Sequence, residues 1–256
     1  AGQINGTTGY EEAAAQGLLA GLNAARLAGD LSPITISRTD GYLGVMIDDL
    51  ITRGVTEPYR MFTSRAEYRL MLRADNADER LTPLGIAAGI VGEERRAAFG
   101  EKMKRLKAAR AFARAHTITP QEAARFGIAI NHDGRRRDVI DLLSLPGVTL
   151  ADVRRIWPRL EAFDEAVLAQ LETEAVYAGF LDRQRADMER FRKEERVRIP
   201  GDYSYDLPGL SNELKEKLRS TRPATLAQAA RIDGMTPAAL TLILAHLKKA
   251  AERKAG

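Results

Sequence analysis

From Thr82 to the end of the chain, apolar residues recur every three to four positions, and this rhythm limits the fold more than any other property of the sequence. Strands repeat every two residues, so a chain written this way builds helices. Glu93 to His116 sets Phe99, Met103, Leu106 and Ala113 along one side of a single long helix. Ala162 to Arg196 does the same with Tyr177, Leu181, Gln184, Met188 and Phe191, spaced alternately by four and three. Between them lies the turn-rich stretch NHDGRRRD at residues 131–138, and IPGDYSYDLPG at residues 199–209 is a Pro- and Gly-rich linker. The expected class is mainly α.

A recurring phrase marks where helices begin. LPGVTLADV, LPGLSNELK and IDGMTPAAL each place a Gly, a hydrophobic residue and then a Ser or Thr ahead of a helical run, so Thr149, Ser211 and Thr236 are expected N-caps. Val148 with Val153, and Met235 with Leu240, stand at hydrophobic-staple spacing. Thr82 is expected to cap a further helix, with Pro83 at its first position. The last helix carries Leu240, Ile243, Leu244 and Leu247 on one face, leaves Leu242 off it, and ends in Lys248, Lys249, Arg253 and Lys254. An apolar surface on more than one side implies a neighbour beyond the helix's own small domain.

One stretch breaks the helical rhythm. From Glu67 to Arg73, Tyr68, Leu70 and Leu72 alternate with Glu67, Arg69, Met71 and Arg73, the pattern of a half-buried strand. Arg60, Arg65, Arg69, Arg73 and Arg80 crowd the same neighbourhood without a lysine. They suit phosphate contacts, with Tyr59 or Tyr68 free to stack on a base, or they pair with Glu57, Glu67, Asp75, Asp78 and Glu79. Between Arg95 and Arg114 eight basic residues face one acid, Glu101, which is either a solvated helix face or a backbone-docking surface that includes Lys104 and Lys107.

Composition removes several classes. There is no Cys, so disulfides, thiolate metal sites and cysteine nucleophiles are excluded, in keeping with a reducing cytoplasm. No apolar run approaches the ~18 residues that a membrane span needs. The net charge of +4 is too small to identify a nucleic-acid binder by itself. His132 reads as a loop residue with no partner at metal-ligand spacing, and no metal is expected.

The N-terminal stretch, a Gly-rich turn feeding an Ala-rich helix, reads either as a site where a helix N-terminus meets an anionic edge, or as a capped surface helix with Thr7 or Thr8 near the N-cap and Glu11 and Glu12 in its first turn. Here the residues carry a resemblance. GQINGTTGYEEAAAQGL resembles the last flavin-binding segment of the MnmG (GidA) family, EPYRMFTSRAEYRLMLRADNADERLT its internal signature, and PGLSNELKEKLRSTRPATLAQAARIDGMTPAALTLILAHLKK its C-terminal helical end. These segments run in the family's order from Gly2 to Lys249.

The resemblance implies the C-terminal part of a flavoenzyme: a short α/β remnant of the FAD-binding domain with the Arg-rich strand at residues 1–81, a helical domain at 82–199 and a partner-binding helical module at 207–256. It implies flavin contact at Gln3, Asn5, Thr7, Thr8, Gly9 and Tyr10, and tRNA contact at Arg60, Arg65, Arg69, Arg73, Arg80, Lys104 and Lys107. It also implies docking of the GTPase MnmE through Leu240, Leu242, Ile243 and Leu247, with a homodimer forming a heterotetramer with that partner. The family modifies the tRNA wobble uridine with FAD, NADH and a folate-derived one-carbon unit. Its G-x-G-x-x-G turn and early cysteines are absent from these residues, so no catalytic residue is assigned and the chain alone is expected neither to react nor to retain FAD. A folate- and flavin-dependent tRNA methyltransferase related to the family, or a non-catalytic RNA- or GTPase-binding module, are the alternatives.

Overall fold

The structure, a computed structural model, describes the backbone of residues 1–255 and all side chains except those of 182, 183 and 251–255. Arg253 and Lys254 therefore lie outside the described side chains. In chain order the helices are α1 Tyr10–Ala28, α2 Tyr42–Thr52, α3 Ala77–Ala87, α4 Glu93–Ala115, α5 Pro120–Ala124, α6 Val139–Leu143, α7 Leu150–Ile156, α8 Glu165–Arg196, α9 Asn212–Thr221, α10 Leu226–Ala230 and α11 Pro237–Ala255. Among the described residues the only ladder joins β1 Thr117–Ile118 to β2 Arg137–Asp138, antiparallel, so the mainly α expectation holds.

The chain divides into two units, Leu70–Gln184 and the pair of segments Ala1–Arg69 and Arg185–Gly256. In the first, α4 turns Leu106, Ala109 and Ala113 inward at every third or fourth residue, onto Val139, Leu142, Val153, Leu168 and Leu171. Three short helices hold their ends by reciprocal capping boxes: Thr119 with Glu122, Asp138 with Asp141, and Thr149 with Asp152. A five-residue helix has almost no intrinsic stability, so these caps and the core beneath them fix α5 and α6.

In the second unit, the C-terminal segment builds its own core from Ile199, Tyr205, Leu207, Leu214, Leu218, Leu226 and Ile243. It is closed by an antiparallel bridge from Arg198 to Thr225, with Ile199 N–H donating to the Ala224 carbonyl at 3.0 Å and Leu226 N–H to that of Val197 at 2.9 Å. Ser211 caps α9 through the Leu214 N–H, and Thr236 accepts from Ala239 at the start of α11, as the sequence predicts. In the N-terminal segment, Asn23 of α1 makes both hydrogen bonds to the backbone of Ile34, at 2.9 and 2.7 Å, and so lays residues 31–36 along the helix.

Two local expectations fail. Residues 67–71 form turns and not a strand. A strand needs a partner for its carbonyls, whereas here side chains take that role: Arg73 donates to the Leu70 carbonyl, Asn76 to Met71 and Arg80 to Arg73. Thr82 does not cap a helix, because α3 already begins at Ala77 and carries Thr82 buried and Pro83 in its interior. Asp78 and Glu79 favour that earlier start by placing carboxylates in the first turn. The N-cap of α1 is Gly9, next to Thr8, and Glu11 and Glu12 stand in the first turn as the sequence predicts.

Candidate functional site

The Gly-rich turn before α1 is held from below by one amide. Gln16, buried on the inner face of α1, accepts at Oε1 from the Gly2 N–H at 3.1 Å and from the Asn5 side chain at 2.8 Å, and its Nε2 donates to Thr7 Oγ1 at 2.8 Å. From the side it is held by Tyr59: the Tyr59 N–H donates to the Gly6 carbonyl at 2.8 Å and the Thr8 N–H to the Tyr59 carbonyl at 3.0 Å. Gly6 sits at φ +81° close to Val55, so a side chain there would be strained and crowded. Glu12 accepts from the Met61 N–H at 2.9 Å, and that bond holds its carboxyl below the usual range against the opposing effect of burial.

Above the turn lies a cleft of about 600 Å³, lined by residues 3–8 and 55–58. Of the six residues singled out for flavin contact, four line it. Asn5 and Thr7 spend polar atoms on Gln16, Gln3 and Thr8 are exposed, Gly9 is partly exposed, and Tyr10 stands 94% exposed at the start of α1. The Glu12 carboxylate lies so close to Gly9 that a Cβ there would overlap it, so the N-terminus of α1 is already occupied by a negative charge. The helix end is therefore poorly placed to take a further anion, whereas the cleft over the turn is open.

The five arginines do not share one role. Arg60 and Arg69 are exposed, while Arg65 donates to the Arg60 carbonyl and lies 4.4 Å over the Tyr59 ring. Arg73 pairs with Asp75 at 2.8 Å and covers the Tyr177 ring at 4.9 Å, and Arg80 binds Asn76 and the Arg73 carbonyl. Tyr59 is 5% exposed with its hydroxyl donated to Asp49 at 2.8 Å, so it is not free to stack on a base. Tyr68 is half-buried against Phe191.

Along α4 the positive charges separate into two sets. Lys102 pairs with Asp78, Arg105 with Asp164, Arg110 with Glu79 and Glu174, and Arg114 with Asp138. Lys104 and Lys107 are exposed, one turn apart, and make no hydrogen bond or ion pair among the described residues. They form the uncommitted cationic face of the helix.

In the C-terminal segment, Ile243 is fully buried and so cannot present a docking surface. Leu240, Leu242 and Leu247 are half-buried and pack on the same core. Leu242 was expected to face away from that core, but it lies over Gly209 of the preceding linker, which curls beneath α11.

Sequence reasoning missed the most buried charged side chain, Arg38, which is 2% exposed. All three of its nitrogens donate: to Glu67 at 2.7 and 3.2 Å, to Asp48 at 3.1 Å, to Asp49 at 2.6 Å, and to the carbonyls of Val45 and Arg65. Burial alone would lower its pKa, yet the bonds and charges of Glu67 and Asp49 carry it above its usual range. Asp48 also pairs with Arg231, and burial still holds its carboxyl above the ordinary value. The signal available was an Asp pair at residues 48 and 49 in an otherwise apolar helix.

Among the described residues, no three His, Cys, Asp or Glu side chains gather as metal ligands, and no helix is long and apolar enough to cross a membrane.

Family models match three stretches: the C-terminal helical bundle of the tRNA modifying enzyme MnmG/GidA at residues 187–256, its C-terminal helical domain at 93–185, and glucose inhibited division protein A at 1–32. The tRNA uridine 5-carboxymethylaminomethyl modification enzyme MnmG of Syntrophotalea carbinolica is 45% identical over 97% of the chain, and that of Granulibacter bethesdensis 48% over 95%. The chain spans 40% and 39% of those relatives' lengths. Two crystal forms of Aquifex aeolicus GidA superpose with TM-scores of 0.80 and 0.78 at 41% and 40% identity, over 96% of this chain and 39% and 38% of theirs. Three models of one family in chain order, near-complete coverage by its curated members and the same fold in its solved structures together place this chain in the MnmG/GidA family.

Proposed function

We propose that the chain serves a tRNA wobble-uridine modification enzyme, contributing one edge of an FAD site, a surface for the tRNA backbone and a docking module for a GTPase partner, MnmE. The observation that carries this reading is the 45–48% identity to curated enzymes named for that reaction over almost the whole chain. The cleft over residues 3–8 supports it, because a turn fixed by Gln16 and Tyr59 presents exposed polar groups at Gln3 and Thr8 without having to reorganise. FAD, when bound, would supply redox chemistry; the residues of this chain would bind and orient its edge. NADH and a folate-derived one-carbon unit complete the proposed reaction, and no residue of this chain is assigned to either. A homodimer joined to the GTPase as a heterotetramer is the proposed assembly.

For tRNA, the proposal narrows to the groups with charge to spare: Lys104 and Lys107 on α4, and Arg60 and Arg69 beside the Tyr59 segment. Arg65, Arg73 and Arg80 have internal duties, so substituting them would mix folding with binding. The test is a salt titration of tRNA binding by the full-length protein carrying Lys104→Ala and Lys107→Ala. Each lost phosphate contact should reduce the slope of log K against log salt by about 0.9 for duplex regions and weaken binding for every tRNA sequence tried. Unchanged slopes with unchanged wobble-uridine modification, read by mass spectrometry of cellular tRNA, would remove α4 from the interface.

A further inference from the structure

Burying the guanidinium groups of Arg38 and Arg231 with the carboxylates of Asp48 and Asp49 is costly, and removing one partner leaves an uncompensated buried charge, so the set ties together the elements that carry it. Here Asp48 and Asp49 are neighbours on α2, so their side chains leave the helix about 100° apart and reach different partners. Asp48 uses one oxygen for Arg231 of the C-terminal segment and the other for Arg38 at 3.1 Å. Asp49 uses one oxygen for Arg38 at 2.6 Å and the other for the Tyr59 hydroxyl at 2.8 Å. The backbone of Tyr59 then grips Gly6 at 2.8 Å and Thr8 at 3.0 Å. The chain of bonds is unbroken from the C-terminal segment to the turn that lines the cleft.

Its two cations differ in a way that gives the chain a fixed centre and a releasable end. Arg38 has every nitrogen engaged, three carboxylates around it and 2% exposure. Arg231, just past α10, has a buried Nε without a partner, donates to the Ala227 carbonyl of its own helix, and otherwise leans on the Phe191 ring at 5.2 Å. A displacement of the C-terminal segment would withdraw Arg231 first and leave Asp48 short of a counter-charge.

We propose that Arg231, Asp48, Arg38, Asp49 and Tyr59 form a relay through which the C-terminal segment sets the position of the Gly6 to Gly9 turn, making Arg231 a positioning residue for the cleft. Its functional meaning rests on the reading above, in which that turn meets FAD and the C-terminal segment meets a partner. The relay itself can be tested without either ligand.

The experiment is amide hydrogen exchange on this chain, comparing wild type with Tyr59→Phe, Arg231→Met and the double variant. Each single change should speed exchange at the Thr8 and Tyr59 amides by on the order of tenfold, as expected for loss of one buried hydrogen bond to a charged group. The double variant should be no faster than either single, since both cut one chain although the two residues do not touch. Arg231→Met combined with Asp48→Asn removes the stranded charge; thermal stability should return while the turn amides stay fast. Wild-type exchange at Thr8 and Tyr59 in Arg231→Met, effects that multiply in the double variant, or acceleration spread evenly over the protected core amides would each overturn the relay. FAD affinity of the full-length protein carrying the same variants then separates the two claims. Weaker flavin binding supports both, and fast turn amides with unaltered flavin binding uphold the relay and overturn the flavin assignment.

Discussion

Arg110 meets Glu79 fork to fork, with Nη1 and Nη2 each 2.8 Å from a carboxylate oxygen, and turns its remaining edge to Glu174 at 2.5 and 3.0 Å. One guanidinium on α4 thus ties α3 to α8, and without it two carboxylates would face each other half-buried. Arg110→Met should destabilise the protein by about 1–3 kcal/mol, discounted for partial solvent access, whereas Arg110→Lys should recover only part because an ammonium cannot serve both forks. Urea unfolding measures both; a neutral Arg110→Met would mean that this guanidinium does not help to hold the three helices together.

Gly44 and Gly17 lie in helices, where alanine is ordinarily favoured by about 1 kcal/mol. Above Gly44, however, the Ser37 carbonyl would lie 2.0 Å from an added Cβ, a backbone atom that cannot swing away, while nothing lies within 4 Å at Gly17. Gly44→Ala should therefore cost about 1–3 kcal/mol, and Gly17→Ala should stabilise by a few tenths or more. Thermal melting of the pair decides; a gain in both would mean that residues 36–37 are free to move off α2.

Glu12 supplies a pH signature. Its pKa is lowered in the folded protein, chiefly by the Met61 N–H, so its contribution is present above the ordinary value near 4.5 and is lost as pH falls through the lower folded value. Glu12→Gln should be less stable than wild type at pH 7 by roughly 1 kcal/mol, with the gap closing at acid pH. A gap of constant size from pH 7 to pH 3 would assign the effect to packing.

On α11, Ile243→Ala should cost about 2–4 kcal/mol, because the side chain is wholly enclosed, and Leu247→Ala much less. If the proposed GTPase docks on this module, Leu247→Ala should weaken the complex while leaving the melting temperature nearly unchanged. A Leu247 variant that melts early yet binds normally would place the interface elsewhere.

The helices were legible because their information is local. Thr149, Ser211 and Thr236 cap from three residues away, and the stripes on α4 and α8 repeat within single turns. The turn at residues 67–71 was misread because alternation of Tyr68, Leu70 and Leu72 describes which groups are shielded, not what satisfies their carbonyls, and here guanidinium and amide groups replace a neighbouring strand. The buried cluster escaped for a different reason. Arg231 and Asp48 are 183 residues apart, and nothing in either neighbourhood indicates the other. The division of the α4 charges into paired and unpaired sets was likewise invisible, since it depends on which acids α3, β2 and α8 bring alongside.

Arg38 has no spare hydrogen-bonding capacity, and loss of charge at either aspartate of α2 takes a counter-charge from a guanidinium that is 2% exposed. Any single substitution in the set therefore begins by going downhill in stability. Exchange of these residues during divergence must then be concerted, so that a relative lacking arginine at this place should also have changed its acids at the positions of Asp48, Asp49 and Glu67. The set should be inherited or lost as one character.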